Sequence, residues 1–189
     1  ASYMAGAAFT LQVKVLDSLG NVTPTYSTPI TISLGASSPA GGALQGGLTA
    51  TPVNGIATFS GLSIQKAGSG YSIKASSASL TQVKSRTFAI TPASASQLAF
   101  TTTPPTTAAG STFSTTVEAR DPYGNRDTAY ISAVSIALAS NPAGTTLNGT
   151  SSGIFAAGVA SFNGLSILKV GTAYTINASS GSLTSGTSN

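Results

Sequence analysis

The 189-residue sequence contains no cysteine, no histidine and no tryptophan, and only 6% of its residues are charged. Without cysteine the chain can form neither disulfides nor thiolate metal sites. Without histidine it lacks the most common general base of enzymes. Its only acids are Asp17, Glu118, Asp121 and Asp127, so a paired acid and base for catalysis are hard to assemble. The sequence therefore predicts that the chain is not an enzyme and needs no cofactor.

The charge and hydropathy patterns argue against two further classes of protein. The net charge of +4 comes from eight basic residues that are scattered along the chain, whereas a nucleic-acid surface needs several cations close together. No apolar run approaches the roughly 20 residues of a membrane-spanning helix, and no signal segment opens the sequence. We expect no nucleic-acid partner and no direct insertion of this chain into a membrane.

What the chain does have is an internal repeat with an offset of about 104 positions. Three pairs of segments carry it: residues 13–21 return as 117–125, 55–64 as 158–167, and 70–77 as 172–180. A repeat of about 100 residues matches the length of one β-sandwich and is too long for a solenoid unit. The sequence predicts two repeats, at residues 1–91 and 92–189.

Apolar and polar residues alternate within the repeated segments, which predicts antiparallel strands with one buried face. Examples are Phe9, Leu11, Val13 and Val15 in the first repeat. With turns at short intervals and no helical period, we predict an all-β chain of two seven-strand Greek-key sandwiches. Residues 83–90 are predicted to form the last strand of the first repeat, and Pro92 to mark the short linker that follows it.

Alignment of the two repeats leaves one strand unmatched at each end of the chain. The first repeat has its opening strand missing or partial, and the second lacks its closing strand. An open sheet edge favours pairing with another strand. We therefore expect flanking sequence to supply the missing strands.

An Asp-x-x-Gly-Asn turn occurs in both repeats, at residues 17–21 and 121–125. Asp accepts hydrogen bonds from the following backbone, Gly supplies a positive φ, and Asn tolerates one, so the pattern favours a structural turn. The alternative is a calcium site, because carboxylate and amide oxygens suit that ion. Its candidate ligands are Asp121, Asn125 and Asp127.

Tyrosines recur at matched positions. Tyr71 and Tyr174 resemble a tyrosine corner, in which the hydroxyl bonds back to the backbone. Tyr26 and Tyr130 share another turn. Tyr123 is predicted to lie at an exposed turn tip, which is a weak indication of ligand contact.

Three other chemistries remain open alternatives. Glu118 and Asp121 could form a glycosidase pair, although Lys14 replaces Glu118 in the first repeat, which suggests a solvent-facing position. Lys66 and Lys169 could form isopeptide cross-links if they lay in the core. Glycosylation sequons start at three asparagines, Asn21, Asn148 and Asn177.

The ordered set of repeated motifs resembles the tandem bacterial immunoglobulin-like (Big-type) repeats of long surface and adhesin proteins. The motifs are Leu98-Ala-Phe-Thr-Thr, Ala109-Gly, Asp121-x-x-Gly-Asn125, Leu147-x-Gly, Gly158-x-Ala-x-Phe162, Gly164-Leu-x-Ile167, Tyr174-x-Ile-x-Ala178, Leu183-Thr and Phe88-x-Ile-Thr-Pro92. The resemblance implies two tandem immunoglobulin-like sandwiches.

The same resemblance implies a spacer in an extracellular protein of a bacterial cell surface, where a stalk or fibre presents a distal domain. The implied partners are neighbouring repeats of the same chain or identical molecules in a fibre. One alternative is a carbohydrate-binding or adhesive module that uses loop-tip residues such as Tyr123 and Asn125, although the lack of tryptophan weighs against it. Another is a subunit of a self-assembling extracellular fibre.

Overall fold

A computed structural model describes residues 1–78 and 80–188, and these residues form strands, turns and loops without any helix. The chain divides into two compact units, residues 1–92 and 93–189. The division falls one residue later than the 1–91 and 92–189 that the repeat predicts. Within the described residues there is no helix long and apolar enough to cross a membrane. The predicted all-β class is confirmed.

The described residues of unit 1, 1–78 and 80–92, form ten strands. They are β1 (Ser2–Met4), β2 (Phe9–Lys14), β3 (Ile30–Leu34), β4 (Leu44–Gln45), β5 (Thr49–Ala50), β6 (Ile56–Ile64), β7 (Gly68–Tyr71), β8 (Ile73–Ser77), β9 (Leu80–Lys84) and β10 (Phe88–Thr91). Their sheet orders are β2-β6-β4, β1-β10-β7 and β5-β3-β8-β9. Neighbours such as β2 and β6 are distant in sequence, as the crossing connections of a Greek key require.

In unit 2 the part of the chain that the structure describes, residues 93–188, forms eight strands. They are β11 (Gln97–Thr102), β12 (Phe113–Arg120), β13 (Ala133–Ser140), β14 (Leu147–Asn148), β15 (Ser152–Ile154), β16 (Val159–Ile167), β17 (Thr175–Ser179) and β18 (Gly186–Thr187). Their sheet orders are β11-β12-β16-β14 and β15-β13-β17-β18. The central pairs β12–β16 and β13–β17 repeat the pairs β2–β6 and β3–β8 of unit 1.

Each unit buries its own apolar core between its sheets, at the positions that the alternation predicts. Phe59 and Phe162 are 2% and 1% exposed, and they occupy matching positions on β6 and β16. Burying a side chain of this size contributes about 1.5–3 kcal/mol of transfer free energy. The same short alternating pattern therefore produces the same packed centre twice.

The predicted single strand over residues 83–90 is wrong. Strand β9 ends at Lys84 and pairs with β8, whereas β10 begins at Phe88 and pairs with β1 and β7 in another sheet. Ser85 ends the first pairing, because its Oγ accepts a hydrogen bond from Ile73 N at 2.9 Å and donates one to Arg86 O at 2.8 Å. The chain changes sheets at this serine.

Candidate functional site

The turn at Asp17 is held by its own side chain. Its Oδ1 accepts hydrogen bonds from Leu19 N at 2.9 Å and Asn21 N at 2.8 Å, and its Oδ2 accepts one from Asn21 Nδ2 at 3.2 Å. Gly20 has the φ of 88° that the turn requires. The Asn21 hydrogen bonds hold the pKa of the Asp17 carboxyl below its usual value. The turn is therefore favoured at neutral pH and weakened as pH falls through that lowered pKa.

The matching turn at Asp121 has the same local geometry but a different environment. Asp121 Oδ1 accepts from Tyr123 N at 2.9 Å and Asn125 N at 2.8 Å, and Oδ2 accepts from Asn125 Nδ2 at 2.8 Å. Asp121 is 0% exposed and Asn125 is 5% exposed, whereas Asp17 and Asn21 are both exposed. A buried carboxylate is tolerated only where donors satisfy it.

The additional donors come from the segment that leads into β11. Ala93 N donates to Asp121 Oδ2 at 3.0 Å, and Ala95 N donates to Asp127 Oδ2 at 2.9 Å. Asp127 Oδ1 accepts from Ala129 N at 3.0 Å. The carboxylates of Asp121 and Asp127 thus hold residues 93–95, at the start of unit 2, against the turn of the same unit. Sequence reasoning missed this role, because the donors are backbone amides of alanines about 30 positions away.

The calcium candidates Asp121, Asn125 and Asp127 are brought together by the structure, but as a hydrogen-bonded cluster. All four carboxylate oxygens of the two aspartates accept N–H groups of the protein. In the described part of the chain, no three His, Cys, Asp or Glu side chains are grouped so as to hold a metal ion. The geometry is that of a structural turn.

We expect a chelator to leave the thermal stability of the protein unchanged. Oxygens that already accept backbone N–H groups do not need a cation to neutralise them. Melting curves recorded with excess EDTA and with excess calcium are expected to agree within about 1 °C. A loss of several degrees in EDTA, restored by calcium, would show that the cluster binds the ion.

Glu118 lies beside this cluster and forms ion pairs. Its Oε2 is 2.9 Å from an Arg120 guanidinium nitrogen, and its Oε1 is 3.8 Å from one of Arg126. The Glu118 side chain lies on the outer face of β12, opposite the core face, and is 20% exposed. Strand β11 pairs with β12 and lays Ala99 opposite Glu118, so the expected solvent-facing position is partly covered. A glycosidase pair finds no support here, because Asp121 is buried with its oxygens occupied.

The predicted tyrosine corners are confirmed. Tyr71 Oη donates to Lys66 O at 2.8 Å, and Tyr174 Oη donates to Lys169 O at 3.2 Å. Burial raises the pKa of the Tyr71 hydroxyl above its ordinary value. The matched Tyr26 and Tyr130 instead pair their hydroxyls with Ser77 Oγ at 2.7 Å and Ser180 Oγ at 2.9 Å.

The two loop-tip candidates for ligand binding differ in exposure. Tyr123 is 43% exposed, in agreement with its predicted place at a turn tip. Asn125 is buried beneath it, so the expectation that it lies at the exposed tip is wrong. The tip thus presents one aromatic ring without the amide that was expected beside it.

The remaining candidates lie outside any core. Lys66 and Lys169 are exposed, and Lys169 Nζ donates to Ala143 O at 3.2 Å and Gly144 O at 3.3 Å. This position does not suit a buried isopeptide bond. Among the sequon asparagines, Asn21 is exposed but donates its amide to Asp17, and the amide nitrogen of Asn148 is buried.

Comparison with known proteins gives only structural likenesses. No protein-family model matches the chain, and no curated protein matches its sequence. A β-glycosidase from Bacteroides vulgatus is similar with a TM-score of 0.45 and 12% identity, over 95% of this chain and 24% of that one. A glycosyl hydrolase family 2 member from Bacteroides cellulosilyticus DSM 14838 is similar with a TM-score of 0.44 and 13% identity, over 96% of this chain and 28% of that one.

A third similar structure is CBD12 from CALX1.2, with a TM-score of 0.35 and 13% identity, over 94% of this chain and 77% of that one. The chain spans about a fifth of the Parabacteroides merdae β-glucuronidase that it also resembles. Likenesses at this level of identity and TM-score carry no argument about function. Membership of the bacterial immunoglobulin-like repeats stays a prediction.

Proposed function

We propose that the chain is a pair of structural repeats that acts as a spacer in an extracellular protein of a bacterial cell surface. In such a protein, a stalk or fibre presents a distal adhesive or other domain. The proposal rests on the features that the two units share. These are core positions, turns and tyrosine corners, and all of them stabilise a sandwich. A spacer needs its fold repeated and no reactive group.

The chemistry of the described side chains supports this proposal. Each aspartate is bound into a turn, and Glu118 is paired with arginines. General acid–base chemistry needs a titratable group that can reach a substrate proton, and these carboxyls are occupied by structural partners. We therefore propose a passive role without an active site.

A carbohydrate-binding or adhesive module is the second candidate. The exposed Tyr123 favours it, because an aromatic ring at a turn tip could stack on a sugar. The ring has no exposed amide from Asn125 beside it, however, and polar groups are what orient a ligand in a site. This candidate therefore ranks below the spacer.

Mechanical unfolding of single molecules tests the spacer directly. Each unit is expected to unfold in its own step, and each step is expected to lengthen the chain by about 300 Å, since roughly 90 residues extend by at most about 3.6 Å each. Screening of a glycan panel, with Tyr123→Ala as the control, tests the second candidate. Sugar binding that this variant abolishes would favour the module, and unfolding in one undivided step would contradict two independent spacer units.

A further inference from the structure

Each unit contains a strand that has no counterpart in the other. In unit 1, β10 lies between β1, with which it pairs in parallel, and β7, with which it pairs antiparallel. In unit 2, β11 lies along β12 and reaches Thr184 on its other side. No described residue of unit 2 takes the place of β10, and none of unit 1 takes the place of β11.

Strand β10 completes the core of unit 1. Ile90 is 3% exposed, and the ring of Phe88 lies 5.9 Å from that of Tyr71 and 6.1 Å from that of Phe9. Phe88 and Ile90 are two positions apart and therefore share one face of the strand. The inward face of β10 is thus an aromatic residue followed by a β-branched one.

The two segments of unit 1 that form the walls on either side of β10 have counterparts in unit 2. Gly6 N donates to Ile64 O at 2.9 Å in unit 1, and Gly110 N donates to Ile167 O at 2.8 Å in unit 2. The opposite wall ends in both units at the corner tyrosine. Between these walls unit 2 has a groove of about 480 Å³. Phe113, Ile167, Tyr174 and Ile176 are among the residues that line it.

The groove leaves apolar side chains of unit 2 uncovered. Tyr71 is 0% exposed beneath β10, whereas its counterpart Tyr174 is only half-buried. Ile64 is buried and its counterpart Ile167 is half-buried. Val170, which also lines the groove, is 87% exposed. A strand in this groove would remove the same apolar surface from water that β10 removes in unit 1.

The reciprocal groove lies in unit 1, in the place that β11 occupies in unit 2. In unit 2, Leu98 is 5% exposed and its N donates to Thr184 O at 2.9 Å, while β11 covers the edge of β12. In unit 1 the matching space is a groove of about 380 Å³ between the end of β2 and β9. Its lining includes Leu16 and Val83, which are 50% and 56% exposed.

We propose that the two grooves are strand-acceptor sites, each specific for the type of strand that only the other unit contains. The occupant of the unit 2 groove is an extended segment with the Phe-x-Ile face of β10. The occupant of the unit 1 groove is an extended segment with the Leu-x-Phe face of β11. Main-chain pairing supplies affinity in such sites, and the pockets for alternate side chains supply specificity. The sites would work in this way whether or not the units serve as spacers.

The test uses the complete 189-residue chain and two labelled peptides, with the sequences of residues 86–92 and 96–103. Fluorescence anisotropy is expected to show saturable binding of both. Control peptides with serine at both inward positions are expected to bind at least about tenfold more weakly than the parent peptides. These control peptides carry Phe88→Ser with Ile90→Ser, and Leu98→Ser with Phe100→Ser.

Two variants of the protein locate the binding. Val170→Asp is expected to weaken the binding of the 86–92 peptide alone, at least about tenfold. Val83→Asp is expected to weaken the binding of the 96–103 peptide alone, by a similar factor. Both valines are largely exposed, so neither change is expected to unfold its unit. Serine controls that bind as well as the parent peptides, or variants that weaken both peptides equally, would overturn the proposal. A stable dimer that excludes both peptides would also overturn it, by showing that a second copy covers the grooves.

Discussion

Asp121→Asn is expected to destabilise unit 2 by about 2–4 kcal/mol and to lower its melting temperature by roughly 10–20 °C. The carboxylate is fully buried and accepts four N–H donors, two on each oxygen. Asparagine keeps the shape but turns one acceptor into a donor. In either orientation of the amide, two buried N–H groups lose their acceptor and face another N–H group.

Asp17→Asn is the matched control, because it changes the same atom of the same turn in unit 1. Asp17 is exposed, so its donors can turn to water, and the melting temperature of unit 1 is expected to fall by far less. Calorimetry measures both variants, and amide hydrogen exchange assigns each transition to a unit. Equal losses in the two variants would show that turn geometry, rather than burial, sets the contribution of the aspartate.

The strands and the core of both units could be predicted from the sequence because their signal is local. Alternation with a period of two places Phe59 and Phe162 on the buried face, whatever strand lies next to them. The corner tyrosines were predictable for a similar reason, since each hydroxyl bonds to a carbonyl only five residues away. Features that neighbours in sequence determine were therefore predicted correctly.

The environment of the candidate site could not be predicted, because it depends on a distant segment. Asp17 and Asp121 share the same turn pattern, yet one is exposed and the other is buried. The difference is made by Ala93, Ala95 and the strand that follows them, which lie about 30 positions before the turn. The pattern of the turn contains no information about what covers it.

The division of residues 83–90 between two sheets was missed for a related reason. Alternating residues predict that a segment is extended, but they do not say which sheet it joins. That choice is made at Ser85, whose hydroxyl meets the backbone of Ile73 on a neighbouring strand. Ser188 makes the same contact with Ile176 N at 2.8 Å in unit 2. This serine contact is therefore shared by the two units, although the alternation of apolar residues does not reveal it.

Gly158→Ala is expected to destabilise unit 2 by at least about 3 kcal/mol. Gly158 precedes β16 with a φ of 73°, a conformation that costs an L-residue about 1–2 kcal/mol. A Cβ at this position would also collide with the carbonyl oxygen of Asp127 and lie 3.2 Å from Arg126 Cγ. Because the first obstacle is backbone, relief requires the Asp127 turn to move, which strains the hydrogen bonds that its carboxylate makes.

Gly164→Ala separates the two causes. Gly164 has a similar φ of 66°, but a Cβ there would meet nothing within 4 Å. Its substitution is expected to cost only the conformational term, about 1–2 kcal/mol. Gly55→Ala repeats the collision in unit 1, where the Cβ would lie 2.6 Å from Thr23 O. Chemical denaturation is therefore expected to show similar losses of stability for the Gly158 and Gly55 variants, and a much smaller loss for the Gly164 variant. If all three variants lost the same stability, the positive φ alone would account for these glycines, and the close approach of the two turns would not contribute.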